Sequence, residues 1–171
     1  MPLTTLLRRL TLVLAMAVWW GGLTFYALVV VPIGAETLGG EIEQGFVTRQ
    51  VSKVINLLGV ATLAVFLWNA VVDWRNTGRR IKRAVAASWT VMAAAQIVLL
   101  ALHGRLDALL DPQTHDIAHP QRFHDLHEFY ISVVGVEWLA ALVCLTAALA
   151  IWRAADVRDR ADETGSMKPG P

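Results

Sequence analysis

Four long stretches of this chain carry almost no charge, and they constrain its fold more than any other feature. A helix that crosses a bilayer alone needs roughly 20 mostly apolar residues. Runs of that size are Leu10–Ala35, Val54–Val72, Ala84–Leu102 and Phe129–Trp152, the last interrupted only by Glu137. Lipid offers no partner to backbone N–H and C=O groups, so each run is expected to be helical. The alternating pattern of a membrane β-barrel is absent. Of the 171 residues, 56% are hydrophobic and 17% charged, whereas a soluble domain is about 45–50% apolar and about a quarter charged. Such a chain cannot cover a water-facing surface. Its formal net charge of +1 gives no pull toward nucleic acid. The single cysteine, Cys144, excludes a disulfide framework and a thiolate zinc cluster.

The basic residues give the direction of threading. Arg8 and Arg9 precede the first run. Arg75, Arg79, Arg80, Lys82 and Arg83 join the second to the third, and Arg153, Arg158, Arg160 and Lys168 follow the fourth. Only Arg49, Lys53, Arg105 and Arg122 fall in the opposite connections. The positive-inside rule then places both termini in the cytoplasm. Arg8-Arg9 followed by Ala15-Met16-Ala17 has the form of a cleavable secretory signal. The apolar run continues to Val31, however, so a retained helix is expected.

The expected fold is all-α, a four-span transmembrane antiparallel helix bundle in the cell (inner or plasma) membrane, N-in and C-in. Residues 1–155 form the domain, with spans near 10–35, 54–74, 84–103 and 126–152, and residues 156–171 form a disordered cytoplasmic tail. Pro32-Ile33-Gly34 should break or kink the first span. The segment Glu41–Lys53 should run along the outer interface before turning into the second. Trp74, Trp89 and Trp152 suit the headgroup belt, while Trp19, Trp20, Trp68 and Trp138 lie deeper, as packing residues. Ala17, Gly21 and Gly22, with Ala86-Ala87 and Ala93-Ala94-Ala95, are expected to admit close helix contacts. The expected partners are the lipid bilayer and, beyond it, another membrane protein or a second copy of the chain.

All five histidines fall between the third and fourth runs, as His103, His115, His119, His124 and His127, beside Asp107, Asp111, Asp116, Asp125 and Glu128. His103 and Asp107 are four apart, and His124, His127 and Glu128 follow the i, i+3, i+4 spacing of one helix face. Imidazole and carboxylate together suit copper or zinc. His103, Asp107, His124, His127 and Glu128 are therefore the candidate metal ligands of an outward-facing cap. A b-type haem held by His103 and His127, in an electron-transfer subunit, is the alternative. A third reading is a ligand-free structural or interaction protein, its cap closed by hydrogen bonds and by Arg105 and Arg122 as counter-charges. The order H-x-x-H-E at His124–Glu128 matches neither zincin motif, and no nucleophile or phosphate loop accompanies it, so catalysis is not expected.

Glu137 is the one carboxylate inside a span. Asp at a helix centre costs about 2.5–3.5 kcal/mol on insertion scales, so Glu137 should face the bundle and meet a partner or hold a proton. Asn56, Asn69 and Gln96 are the intramembrane polar candidates.

Two stretches carry a resemblance. They are Trp19-Trp20-Gly21-Gly22-Leu23-Thr24-Phe25-Tyr26 continuing to Val29-Val30-Val31-Pro32, and Arg105-Leu106-Asp107-Ala108-Leu109 with Phe123-His124-Asp125-Leu126-His127. Together they resemble the four-helix membrane family grouped with transmembrane protein 205, a domain of unknown function. The resemblance spans most of residues 8–152. It implies that His127, or else His124, matches the family histidine that opens the last helix, and that Asp107 matches its Arg-x-x-Asp-like element. The extra histidines and Glu137-Trp138 depart from that pattern. Trp20-Gly21-Gly22 also resembles the copper-resistance D type of membrane protein, which has more spans than this chain.

Overall fold

The computed structural model describes residues 2–38, 41–111 and 116–166. Among the described residues, four helices are long and apolar enough to cross a membrane. We label them α1 (Leu3–Thr37), α2 (Glu41–Asp73), α3 (Arg79–Asp107) and α4 (Pro120–Ser166). Between α3 and α4 lies a two-residue antiparallel ladder, β1 (Leu110–Asp111) with β2 (Asp116–Ile117), pairing Leu110 with Ile117.

In α1 the helix widens twice into π turns, at Ala17–Gly21 and Tyr26–Val30. The second lies just before Pro32. Proline brings no N–H to the carbonyl four residues back, that of Leu28, and a local π turn is a common way to absorb such a gap. The expected break at Pro32 is thus a wide turn within a helix that runs on to Thr37.

Each helix buries a stripe spaced by threes and fours, as the helical repeat requires. In α1 the stripe is Leu12, Met16, Trp19, Leu23 and Tyr26. In α3 it runs from Val85 through Met92, Gln96 and Leu99 to Leu106. In α4 it is Glu137, Ala140, Ala141, Cys144, Ala147, Ala148 and Ile151. The small side chains of the α4 stripe bring α3 close, and these two helices share the largest interface. Other faces carry exposed Leu28, Leu57, Val71, Ile97 and Leu139. Water would not tolerate that much apolar surface; a bilayer would.

Several local expectations change. Glu41–Lys53 does not turn, but is continuous with the rest of α2, whose 33 residues extend about 50 Å. Helix α4 continues through Ser166, into the segment expected to be disordered. A side chain at Gly21 or Gly22 would touch nothing within 4 Å, so neither marks a helix crossing. Close approaches occur instead at Gly34, against the Gln44 side chain, and at Gly59, against Gln96 and Trp19. Trp68 is exposed rather than packed, whereas Trp152 is buried with Arg9 over its ring at 5.4 Å.

Candidate functional site

Among the described residues, the histidine-rich segment does not assemble as one centre. The Arg49 Nε donates to Asp107 Oδ1 at 2.7 Å, while the His103 Nε2 stands 4.0 Å from that same oxygen. The long α2 helix carries Arg49 to this end of the molecule. Arg49 is therefore a counter-charge of Asp107, where Arg105 and Arg122 were the expected ones. His124 and Glu128 pair along one turn of α4 at 3.3 Å, both largely exposed. His127 turns toward Phe123, the two rings nearly parallel at 6.0 Å. His119 adopts a left-handed φ of 57° immediately before Pro120 and accepts the Phe123 N–H at 3.1 Å, which starts α4. His115 lies outside the described residues. Among the described residues no three His, Cys, Asp or Glu side chains group as a metal site. Of the expected cap of His103, Asp107, His124, His127 and Glu128, the structure sets His103 4.0 Å from Asp107, pairs His124 with Glu128 and lays His127 beside Phe123. Haem ligation by His103 and His127 gains no support from these contacts.

A different cluster lies between the helices. Glu137 on α4, Gln96 on α3 and Asn56 on α2 are 2%, 2% and 4% exposed. The Glu137 Oε1, both polar atoms of the Gln96 amide and the Asn56 Nδ2 are buried without a hydrogen-bond partner. Asn56 Oδ1 accepts from the Tyr130 hydroxyl at 3.3 Å. Gly59, one turn from Asn56, leaves the space that the Gln96 amide and the Trp19 indole fill. Beside this layer Trp20 and Trp138 stack at 4.6 Å, and the Trp138 Nε1 donates to Thr24 Oγ1 at 2.9 Å.

Helix register puts these groups at one level. The Trp89 Nε1 donates to Leu63 O at 3.0 Å, and the Ser88 hydroxyl lies against Cys144. Two turns along α3 from these contacts is Gln96, and two turns back along α2 and α4 are Asn56 and Glu137. Buried polar groups are nearly always hydrogen-bonded, and each orphan costs about 1–3 kcal/mol. Four orphan atoms at one level therefore leave unmet hydrogen-bonding capacity in the bundle interior.

Asn69, expected beside Glu137, is elsewhere. Its Oδ1 accepts from Arg8 Nη1 at 3.0 Å, next to Asp73, near the N-terminal end of α1. Sequence reading missed this buried arginine. The available signal was an aspartate directly after the uncharged run Val54–Val72, at the depth where Arg8 precedes Leu10–Ala35.

No protein-family model, curated protein or solved structure matches the chain.

Proposed function

We propose that the chain is a four-span antiparallel membrane bundle, both termini cytoplasmic, that binds a small polar species inside the membrane rather than catalysing a reaction. The basic residues flanking the spans support that orientation. The resemblance to the transmembrane protein 205 group belongs with this reading and rests on Trp19–Pro32 and Phe123–His127.

The observation that carries the proposal is the set of unpaired buried atoms on Glu137, Gln96 and Asn56. The guest is a proton on Glu137 together with water. Glu137 supplies the exchangeable oxygen. The Gln96 amide offers a donor and an acceptor, and Asn56 a donor held in place through Tyr130. An ionisable residue within a span is a functional position by default, and this one shares its level in the bundle with amide groups able to hydrogen-bond an acid or its anion.

Infrared spectroscopy of the protein in lipid nanodiscs tests this. The expected result is a carboxylic-acid carbonyl band that changes with pH, disappears in Glu137→Gln and shifts in Gln96→Leu. A difference between wild type and Glu137→Gln that stays constant from mildly acidic to mildly alkaline pH would overturn proton exchange at this site.

A further inference from the structure

Helix α2 carries polar side chains at Gln44, Thr48, Ser52 and Asn56, a spacing of four that sets them on one face. The neighbouring helices supply partners for that face. From α1 the Tyr26 hydroxyl donates to Thr48 Oγ1 at 3.0 Å, and the Gln44 Nε2 reaches the same oxygen at 3.3 Å. From α4 the Tyr130 hydroxyl is hydrogen-bonded to Ser52 and donates to Asn56 Oδ1 at 3.3 Å. The Asn56 Nδ2 has no partner, and the orphan atoms of Gln96 and Glu137 lie at its level. Hydrogen-bonding groups therefore continue from the Arg49 end of the molecule to the buried acid.

The other half of the bundle is built differently. Leu63, Phe66, Val85, Met92, Ala141 and Ala148 belong to one apolar core that fills the space between Glu137 and the Arg8–Asp73 pair. The hydroxyls of Ser88 and Thr62 there are spent on their own helices, on Ala84 O at 2.7 Å and Leu58 O at 2.8 Å. A hollow of about 10 Å³ beside Asn69 and Asp73 reaches only as far as Cys144, two turns short of Glu137. It has room for about one water. Glu137 itself stands eight residues after Phe129 and fifteen before Trp152, about 12 and 22 Å along the helix. The polar end is the nearer one.

We propose that Glu137 exchanges its proton with water admitted along this ladder from the Arg49 end alone, the outer side in the orientation proposed above. The inference rests on the proton reading of Glu137 and adds its direction of access. Water accepts the proton from the carboxylic acid and leaves as hydronium, the carboxylate remaining; the reverse step restores the acid. The Tyr130 and Ser52 hydroxyls each offer one hydrogen and one lone pair to the entering water and end unchanged. Tyr130 is the titratable group whose charge bears on Glu137. Tyr26 lies farther out, and Arg49, Asp107 and His103 stand beside the mouth. His127 is one turn outward of Tyr130 on α4.

In lipid nanodiscs, transfer into D2O followed by infrared spectroscopy reads the exchange as a downshift of the Glu137 acid band. Ser52→Ala and Tyr130→Phe should each slow that downshift about fivefold, the rate equivalent of one hydrogen bond. Ser88→Ala should leave it unchanged. A second readout does not require Glu137 to hold a proton. A small cationic methanethiosulfonate should modify Thr48→Cys and Ser52→Cys at least about tenfold faster than Thr62→Cys or Ser88→Cys, because only a hydrated thiol ionises readily. Wild type, whose single cysteine is buried, is the blank. An unchanged thermal midpoint verifies that the variants fold. Exchange as fast in Ser52→Ala and Tyr130→Phe as in wild type, or slowed instead by Ser88→Ala, overturns the proposal. So does a Ser52→Cys thiol no more reactive than that of Ser88→Cys. A wild type without an acid band that Glu137→Gln removes would overturn the proton reading itself, and this route with it.

Discussion

Arg8 grips Asp73 with two parallel hydrogen bonds, Nη1 to Oδ2 and Nη2 to Oδ1, each 2.8 Å long. The side chains are 8% and 21% exposed, and Nη1 also reaches the Oδ1 and backbone oxygen of Asn69. A charge so enclosed is tolerable only while its partner is present. The pair joins the first turns of α1 to the last turn of α2, and Arg9 with Asp156 joins α1 to α4 at the same end.

Removing one member of the buried pair should therefore cost far more than removing both. Arg8→Met or Asp73→Leu alone should lose about 3–5 kcal/mol, and the double variant should recover most of that loss. Reversible denaturation in mixed micelles measures it. Single variants within about 0.5 kcal/mol of wild type, the range of an ordinary surface change, would show that water reaches the pair and shields it.

The second ion pair predicts an acid-dependent contact. Hydrogen bonding from Arg9 holds the Asp156 carboxyl below its ordinary value, with the Arg9 and Arg160 charges acting in the same direction against a smaller desolvation effect. A depressed folded-state value means that the pair stabilises the fold above the unfolded aspartate value of about 3.9. That contribution fades as pH falls through the lower folded value. Wild type should melt above Asp156→Asn at neutral pH, and the gap should close in strong acid. A gap that widens on acidification would contradict the assignment of Arg9 as the stabilising partner.

Those two pairs also mark what the sequence could and could not reveal. The spans are legible because an uncharged run about as long as a bilayer is thick is a local property. Burial stripes follow from the same local periodicity. Arg8 reads as an ordinary flanking charge, since Asn69 and Asp73 lie more than sixty positions away and nothing local marks them as its partners. The histidines show the same limit from the other side. Closeness in sequence suggested a centre, but Arg49 arrives from α2 to take Asp107, and His127 turns to Phe123. Gly21-Gly22 looked like a crossing and Gly59 did not. What a glycine accommodates is decided by the neighbouring helix, and Gly59 faces the Gln96 amide.

The last prediction concerns that contact. A methyl group at Gly59 would overlap the Gln96 amide oxygen and stand 2.9 Å from the Trp19 Nε1. Trp19 is 2% exposed and Gln96 lies on the adjoining helix, so neither moves freely. Gly59→Ala should cost about 1–3 kcal/mol, the usual penalty for overpacking a filled interior. Gln96→Leu removes two orphan polar atoms and should stabilise the protein by about 1 kcal/mol. The two sites share one space and must couple: in a Gln96→Ala background the Gly59→Ala penalty should shrink by at least about 0.5 kcal/mol. Thermal denaturation of the four proteins of this cycle measures the coupling. Additive effects would mean that Gln96 does not fill the hollow beside Gly59. A Gln96→Leu variant less stable than wild type would mean that the amide is already satisfied, removing the reason to assign a polar guest to this layer.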